Sequence, residues 1–261
     1  QMYKLGINYC DKAYAAIENV DVADWKNVLM ETKKSFLVSI KEIEEYLEIL
    51  SSGISLSKHK KSYVSIENSI KYAIEFIKSK QISDGSWREY VNQGGISNVW
   101  ATAFIITKIS EVEILKSNLN NEITNALSFI VNNRTENLWS YNTTWIVDAD
   151  STNFVLLSLL FNEKKIDDLV FKNWLSFQNS YGGFSTYNDK EKLLSALDDG
   201  LIKNVDGWTS THNCVSAVSF YFLAKYKQKN ENFIRIKTYF DLNFDAKEEA
   251  YWWTNKIYTL Y

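Results

Sequence analysis

The sequence predicts an all-α fold of repeated helical hairpins, an inner layer of helices ringed by an outer one. Three observations predict it. Trp87, Trp139 and Phe184 close equivalent turns that stand 52 and 45 residues apart, a period that signals helical repeats. Helices of two kinds alternate along the chain, one apolar on a single stripe and one apolar on every face; the first belongs to a layer with a wet side and the second to an interior. There is no proline, so helix ends fall to Gly, Asn, Asp and Ser. A linear solenoid would leave both layers partly exposed, whereas a closed ring with inner helices facing a central cavity explains the alternation.

Taken in order, residues 2–20 read loosely as helix, and residues 35–50 more clearly so, because Phe36, Ile40, Ile43, Leu47 and Leu50 share one stripe. The polar stretch 51–61, with Gly53, is a loop. It separates an N-terminal helical extension packed on the body (residues 1–60) from the body itself (61–261). The first unit of the body has an amphipathic helix on Ile66, Ile70, Ala73, Ile74 and Ile77, the turn QISDGSW (81–87), and an apolar helix at 100–109. The second has Ile123, Leu127, Ile130 and Val131, the turn NRTENLW (133–139), and the run DADSTNFVLLSLL. The third has Ile166, Leu169, Val170, Trp174 and Phe177, the turn QNSYGGF (178–184), and an apolar helix at 212–224. A fourth is partial, at 233–240 and 251–261. This gives ten to twelve helices.

Composition narrows the function classes. With 46% apolar and 15% aromatic residues, a sizeable core is within reach. A net charge of −3 with interspersed signs gives no nucleic-acid footprint. Cys10 and Cys214 form no disulfide framework, no signal peptide or membrane-length apolar run occurs, and a cytoplasmic location is expected. DDxxD, P-loop, dinucleotide and GxSxG motifs are absent.

The candidate chemistry lies at 146–160, where Asp148 and Asp150 precede a helix apolar on all sides. Burying an unpaired carboxylate is costly, so two of them need a helix cap, a metal or proton chemistry. Aligning WATAF, DSTNF and CVSAV makes Trp100, Asp150 and Cys214 equivalent, and likewise Asn98, Asp148 and His212. These positions start successive inner helices and should converge at one end of the cavity, with Trp252 beside Asp150. Helix capping is the plain alternative for either acid, and a carbonyl-bonded core histidine is the plain alternative for His212; His59 belongs to a solvated, lysine-rich loop.

QISDGSW resembles the QxxDGxW repeat of the squalene–hopene and terpene cyclases. QNSYGGF resembles the GGF repeat shared with protein prenyltransferase β-subunits, and VDADSTNF resembles the DxDD motif of class II terpene cyclases. The resemblance runs from about residue 65 to the C-terminus and implies an α/α toroid. It implies further an acid-initiated cyclisation of a linear isoprenoid without a cofactor. Asp150 matches the proton donor and Asp148 the first acid. Ser151 replaces the last acid and is expected to supply a hydrogen bond, as a cysteine does in oxidosqualene cyclases. Hopene cyclases pair their acid with a histidine, and His212 falls about a turn earlier in its helix than that residue. Trp100, Asn98, Trp145, Cys214, Trp208 and Trp252 are the expected substrate-binding set, with Trp253 near them, since tryptophan π faces stabilise cations. Trp87 and Trp139 are expected to clamp outer helices instead.

Two other readings stay open. The prenyltransferase likeness implies a zinc site on Asp148, Asp150, His212 and Cys214. A toroid can also serve as a binding scaffold without catalysis. Class II cyclases hold substrate between two such domains, which leaves room for a second subunit or domain to complete the active site.

Overall fold

A helix that is apolar on every face needs neighbours on every side, and the packing supplies them around one central helix. The computed structural model describes residues 66–89, 91–92, 94–197, 202–226, 230–243 and 251–252. The chain divides into two compact units, Gln1–Ile66 and Glu67–Tyr261. The helices expected at 2–20 and 35–50, the loop at 51–61, Cys10 and Trp253 lie outside the described residues.

The elements run as α1 (Ile66–Lys80), β1 (Val91–Asn92), β2 (Gly95–Ile96), α2 (Val99–Ser110), α3 (Glu113–Asn118), α4 (Asn120–Asn132), α5 (Ala149–Phe161), α6 (Asp168–Trp174) with a 3-10 turn at Leu175–Phe177, α7 (Lys190–Leu197), α8 (Asp206–Thr209), α9 (Asn213–Tyr226) and α10 (Glu231–Asn243). This is the two-layered arrangement of an α/α toroid. Inner helix α5 lies between inner helices α2 and α9, α4 packs on α2 and α5, and α10 packs on α9. In α5, every residue from Ala149 to Leu159 except Asp150 is buried. The outer helices are one-sided: Ile123, Ala126, Leu127, Phe129 and Ile130 of α4 are buried while Val131 is exposed. On α1 only Ile74 is fully buried, and Ile66 at the head of its expected stripe is exposed. Leu169 of the third stripe also faces outward.

One element was not expected. Val91 pairs with Ile96 and Asn92 with Gly95 in a small antiparallel hairpin. Gly95 sits at φ +95°, a conformation that suits glycine in tight reversals.

The repeat is written in hydrogen bonds. Gln81 Nε2 donates to the Gly85 carbonyl (3.0 Å) and, across to α4, to the Glu122 carbonyl (2.8 Å). Gln178 Nε2 does the same to Gly182 (2.9 Å) and, at α10, to Asn232 (3.1 Å). The indoles of Trp87 and Trp139 donate to Ile77 and Ile130 carbonyls at 2.9 and 2.8 Å, so these two are structural clamps. The backbone N–H groups of Trp87, Trp139 and Phe184 donate to Thr102, Thr152 and Ser216 hydroxyls at 2.9, 3.2 and 2.8 Å. Those hydroxyls each lie two residues beyond Trp100, Asp150 and Cys214, so the inner helices align as the sequence implied. The middle turn has no glycine and instead places Glu136 and Asn137 at positive φ.

Buried polar groups on α5 are satisfied by its neighbours, which fixes its rotation. Asn153 accepts from the Trp174 indole of α6 (2.8 Å) and from Ser219 of α9 (3.0 Å), and donates to the Val215 carbonyl (3.2 Å). Thr107 of α2 donates to the Phe154 carbonyl (3.0 Å). Leaving such groups unpaired costs about 1–3 kcal/mol each, so α5 has one stable setting.

Gly182 is the turn position least able to change. Its φ is +100°, and an added Cβ would sit 2.2 Å from the Arg235 carbonyl oxygen of α10. Gly182→Ala is expected to cost more than the ~1–2 kcal/mol of a left-handed residue alone. Urea unfolding checks this, and a loss below ~0.5 kcal/mol would contradict it.

Candidate active site

The site begins with how α5 starts. Asp148 is extended (φ −143°, ψ 158°) and caps the helix: its Oδ1 accepts from the Ser151 backbone N–H at 2.7 Å. Ser151 Oγ lies 2.8 Å from Asp148 Oδ2, and the Tyr141 backbone N–H also donates to this carboxyl. One cap is enough, and it is Asp148, only 2% exposed. Asp150 lies in the first turn and takes no capping role. The Trp100 indole of α2 donates to its Oδ2 at 2.8 Å. Its Oδ1 has no hydrogen-bond partner among the described residues and is not sealed from solvent. Asp150 therefore combines a protein environment with one open oxygen.

Burial pushes both carboxyls up. Asp148 rises to about 8, opposed by its donors and raised further by the charge of Asp150. Asp150 rises to about 6, opposed by the Trp100 hydrogen bond. The two titrate as a pair that repels a second negative charge. Near neutrality the pair therefore keeps a proton. The helix N-terminus works the other way, but a helix end is worth about 1 kcal/mol against several for desolvation.

Around the pair stands an aromatic wall. Trp100 stacks on Phe104 (5.2 Å between centroids) and meets Phe154 edge-on (5.5 Å). The Trp145 indole donates to the Tyr187 hydroxyl at 3.0 Å. Tyr187 stacks on Trp208 (6.2 Å), which meets Trp252 edge-on (5.6 Å). Tyr187 feels the charge of both acids, and burial with that charge holds its phenol well above the usual range. Cys214 also feels Asp150; burial and that charge push its thiol up to about 11, so it stays a neutral thiol.

His212 is occupied elsewhere. Its Nε2 lies 2.7 Å from the Gly207 carbonyl, which can only accept, so Nε2 carries the proton. Its Nδ1 lies 2.7 Å from Thr186 Oγ1, which in turn accepts from the Trp252 indole at 2.8 Å. Burial lowers its pKa, so the ring is neutral and contributes no charge that would ionise Asp150. The Thr186 carbonyl accepts from Ala149 N–H at 2.9 Å, which ties this loop to the head of α5.

The expected residues thus divide. Asp148, Asp150, Trp100 and Cys214 come together at the ends of α2, α5 and α9, and Trp145, Trp208 and Trp252 share the wall with Tyr187. Ser151 supplies a hydrogen bond and directs it to Asp148, because a residue three beyond a cap folds back on it. Asn98 accepts from the Thr143 backbone at 3.2 Å and anchors the loop before α5. His212 is not a hydrogen-bond partner of Asp150. Among the described residues no group of three or more His, Cys, Asp or Glu side chains is placed to hold a metal ion; the zinc alternative named Asp148, Asp150, His212 and Cys214. Tyr187 and Thr186 were not anticipated. The signal was there: Tyr187 stands three residues past turn-closing Phe184, as Tyr90 does past Trp87.

Both acids titrate above their ordinary 3.8 in the folded chain, so the folded state holds protons that the unfolded chain releases. Their contribution to stability is full below that ordinary value and is lost as pH rises toward 8. Between pH 5 and 8 the wild type should lose on the order of 3 kcal/mol more than an Asp148→Asn/Asp150→Asn double variant. Urea unfolding at both pH values measures it; parallel losses would contradict it.

No protein-family model and no curated protein matches the chain. Solved structures do. Apo type II terpene cyclase MstE from Scytonema is similar at 22% identity and TM-score 0.63, over 74% of this chain and 56% of that one. A form of it with geranylgeranyl dihydroxybenzoate as substrate gives 21%, 0.64, 74% and 55%, and a protein from Actinoplanes gives 20%, 0.62, 74% and 57%. The chain spans a little over half the length of these structures. It has the fold of the type II terpene cyclases.

Proposed function

We propose that this chain is an acid-initiated isoprenoid cyclase in which Asp150 protonates a terminal alkene or epoxide. One observation carries the reading: of two adjacent carboxyls that retain a proton, only Asp150 has an oxygen without a hydrogen-bond partner among the described residues. Asp148 is tied to the helix start by up to three donors, an environment that favours its carboxylate. Burial gives Asp148 the higher value of the two, but both of its oxygens are taken up by donors at the helix start, so the pair's proton is delivered from Asp150, the acid with one donor and an open oxygen. Proton transfer from its open oxygen to an alkene carbon leaves a tertiary cation, which the faces of Trp100, Trp208, Trp252 and Tyr187 stabilise. Attack by the next double bond closes a ring, and a final deprotonation restores neutrality.

The fold shared with MstE supports the class of chemistry, and the geranylgeranyl group of that enzyme's substrate suggests a polyprenyl chain. A second domain or subunit completing the active site belongs to the same proposal. Zinc-dependent prenyl transfer is less well supported, because both nitrogens of His212 are spent and the Cys214 thiol is held protonated.

Turnover of geranylgeranyl dihydroxybenzoate and a panel of linear polyprenols, diphosphates and epoxides tests the reading. Asp150→Asn keeps the shape but cannot donate a proton; activity should fall at least ~10³-fold with the fold intact. Asp148→Asn should cost ~10-fold and shift the activity profile toward lower pH, because removing a neighbouring negative charge lowers the proton affinity of Asp150. Near-wild-type turnover by Asp150→Asn would refute acid initiation, and a chain that binds but converts none of the panel would be a scaffold.

A further inference from the structure

Resting on that reading, we propose that Trp100 is the positioning residue for the acid: its indole N–H fixes Asp150 by Oδ2 and makes Oδ1 the oxygen that delivers the proton. An indole N–H is a donor and never an acceptor. Of the two oxygens of a protonated carboxyl the carbonyl-like one is the stronger acceptor, so the indole favours the form in which the proton sits on the other oxygen. The 2.8 Å bond to Oδ2 assigns the proton to Oδ1, the oxygen without a partner.

The indole is held in place for this. It is only 6% exposed, stacked on Phe104 and edge-on to Phe154, which also meet each other at 5.1 Å. Its backbone N–H donates to the Tyr141 carbonyl at 3.2 Å, the residue whose own N–H reaches Asp148. The titratable groups that feel Asp150 are Asp148 on the same helix, Tyr187 on the loop before α7 and Cys214 on α9. All three disfavour negative charge on Asp150 or are neutral beside it. Trp100 is its one hydrogen-bond donor among the described residues. As the proton leaves Oδ1 for the alkene carbon, charge spreads over the carboxylate and the indole bond becomes charge-assisted and stronger. Burial keeps the acid loaded and Trp100 lets it discharge.

Infrared difference spectra of the substrate-free protein test this. Wild type minus Asp150→Asn at about pH 5 isolates the Asp150 carboxyl, since an ordinary aspartate is ionised there. In Trp100→Phe the C=O stretch should move to higher frequency, and the acid should weaken about tenfold, a rise of about one pKa unit. A packing role alone moves neither. If Trp100→Phe does not fold, the wild-type indole N–H resonance is read instead: it should move downfield with the same midpoint as the Asp150 band and stay still in Asp150→Asn. An unmoved band, or an indole resonance that does not titrate, overturns the inference. Absence of any Asp150-dependent protonated carboxyl band instead overturns the acid-initiated reading itself.

Discussion

Desolvation of two carboxyls at the head of α5 is the constraint on which the site depends. Water would ionise both; the interior cannot hold two negative charges side by side. The fold resolves this by dividing the work. Asp148 turns back on Ser151 and caps the helix, so its polar atoms are consumed by structure. Asp150, two residues on, meets a single indole and keeps one oxygen without a hydrogen-bond partner among the described residues. The same helix start thus makes one acid structural and leaves the other free for chemistry.

That division holds only if α5 cannot rotate or slide. A shift of two residues would put Asp150 at the cap in place of Asp148 and unseat Asn153 from Trp174, Ser219 and Val215. The repeat turns hold the register from outside. Gln81 and Gln178 each bind their own turn and the next outer helix, and the hydroxyls of Thr102, Thr152 and Ser216 each receive the closing aromatic's N–H. A network this repetitive sets the heads of α2, α5 and α9 at one level, which is why Trp100, Asp150 and Cys214 meet.

Much of this was legible in the chain. Periodicity gave the two helix types, and alignment of WATAF with DSTNF and CVSAV identified the positions that meet. What it left out depends on geometry finer than spacing. Whether Ser151 would serve Asp148 or Asp150 turns on which acid occupies the cap, and both Asp148 and Asp150 are good capping residues. His212 was legible as polar and buried, but its partners Thr186 and Gly207 lie 26 and 5 residues away, on a loop and on the four-residue α8, both too short to show a period. Tyr187 lay in a loop, where apolar patterning is silent and only its spacing from Phe184, matched by Tyr90 and Trp87, marks it. The short hairpin at Val91–Ile96 escaped for the same reason, with only its glycines to mark it.

The central claim is that the reaction begins with a proton from Asp150, and isotope placement tests it most directly. Conversion in D₂O of a linear isoprenoid that the chain turns over, where the carboxyl proton exchanges with solvent, should give a cyclic product carrying one deuteron at the former terminal alkene CH. A cyclic product with no deuterium at that carbon would contradict the account, because the ring would then have been started by some event other than protonation.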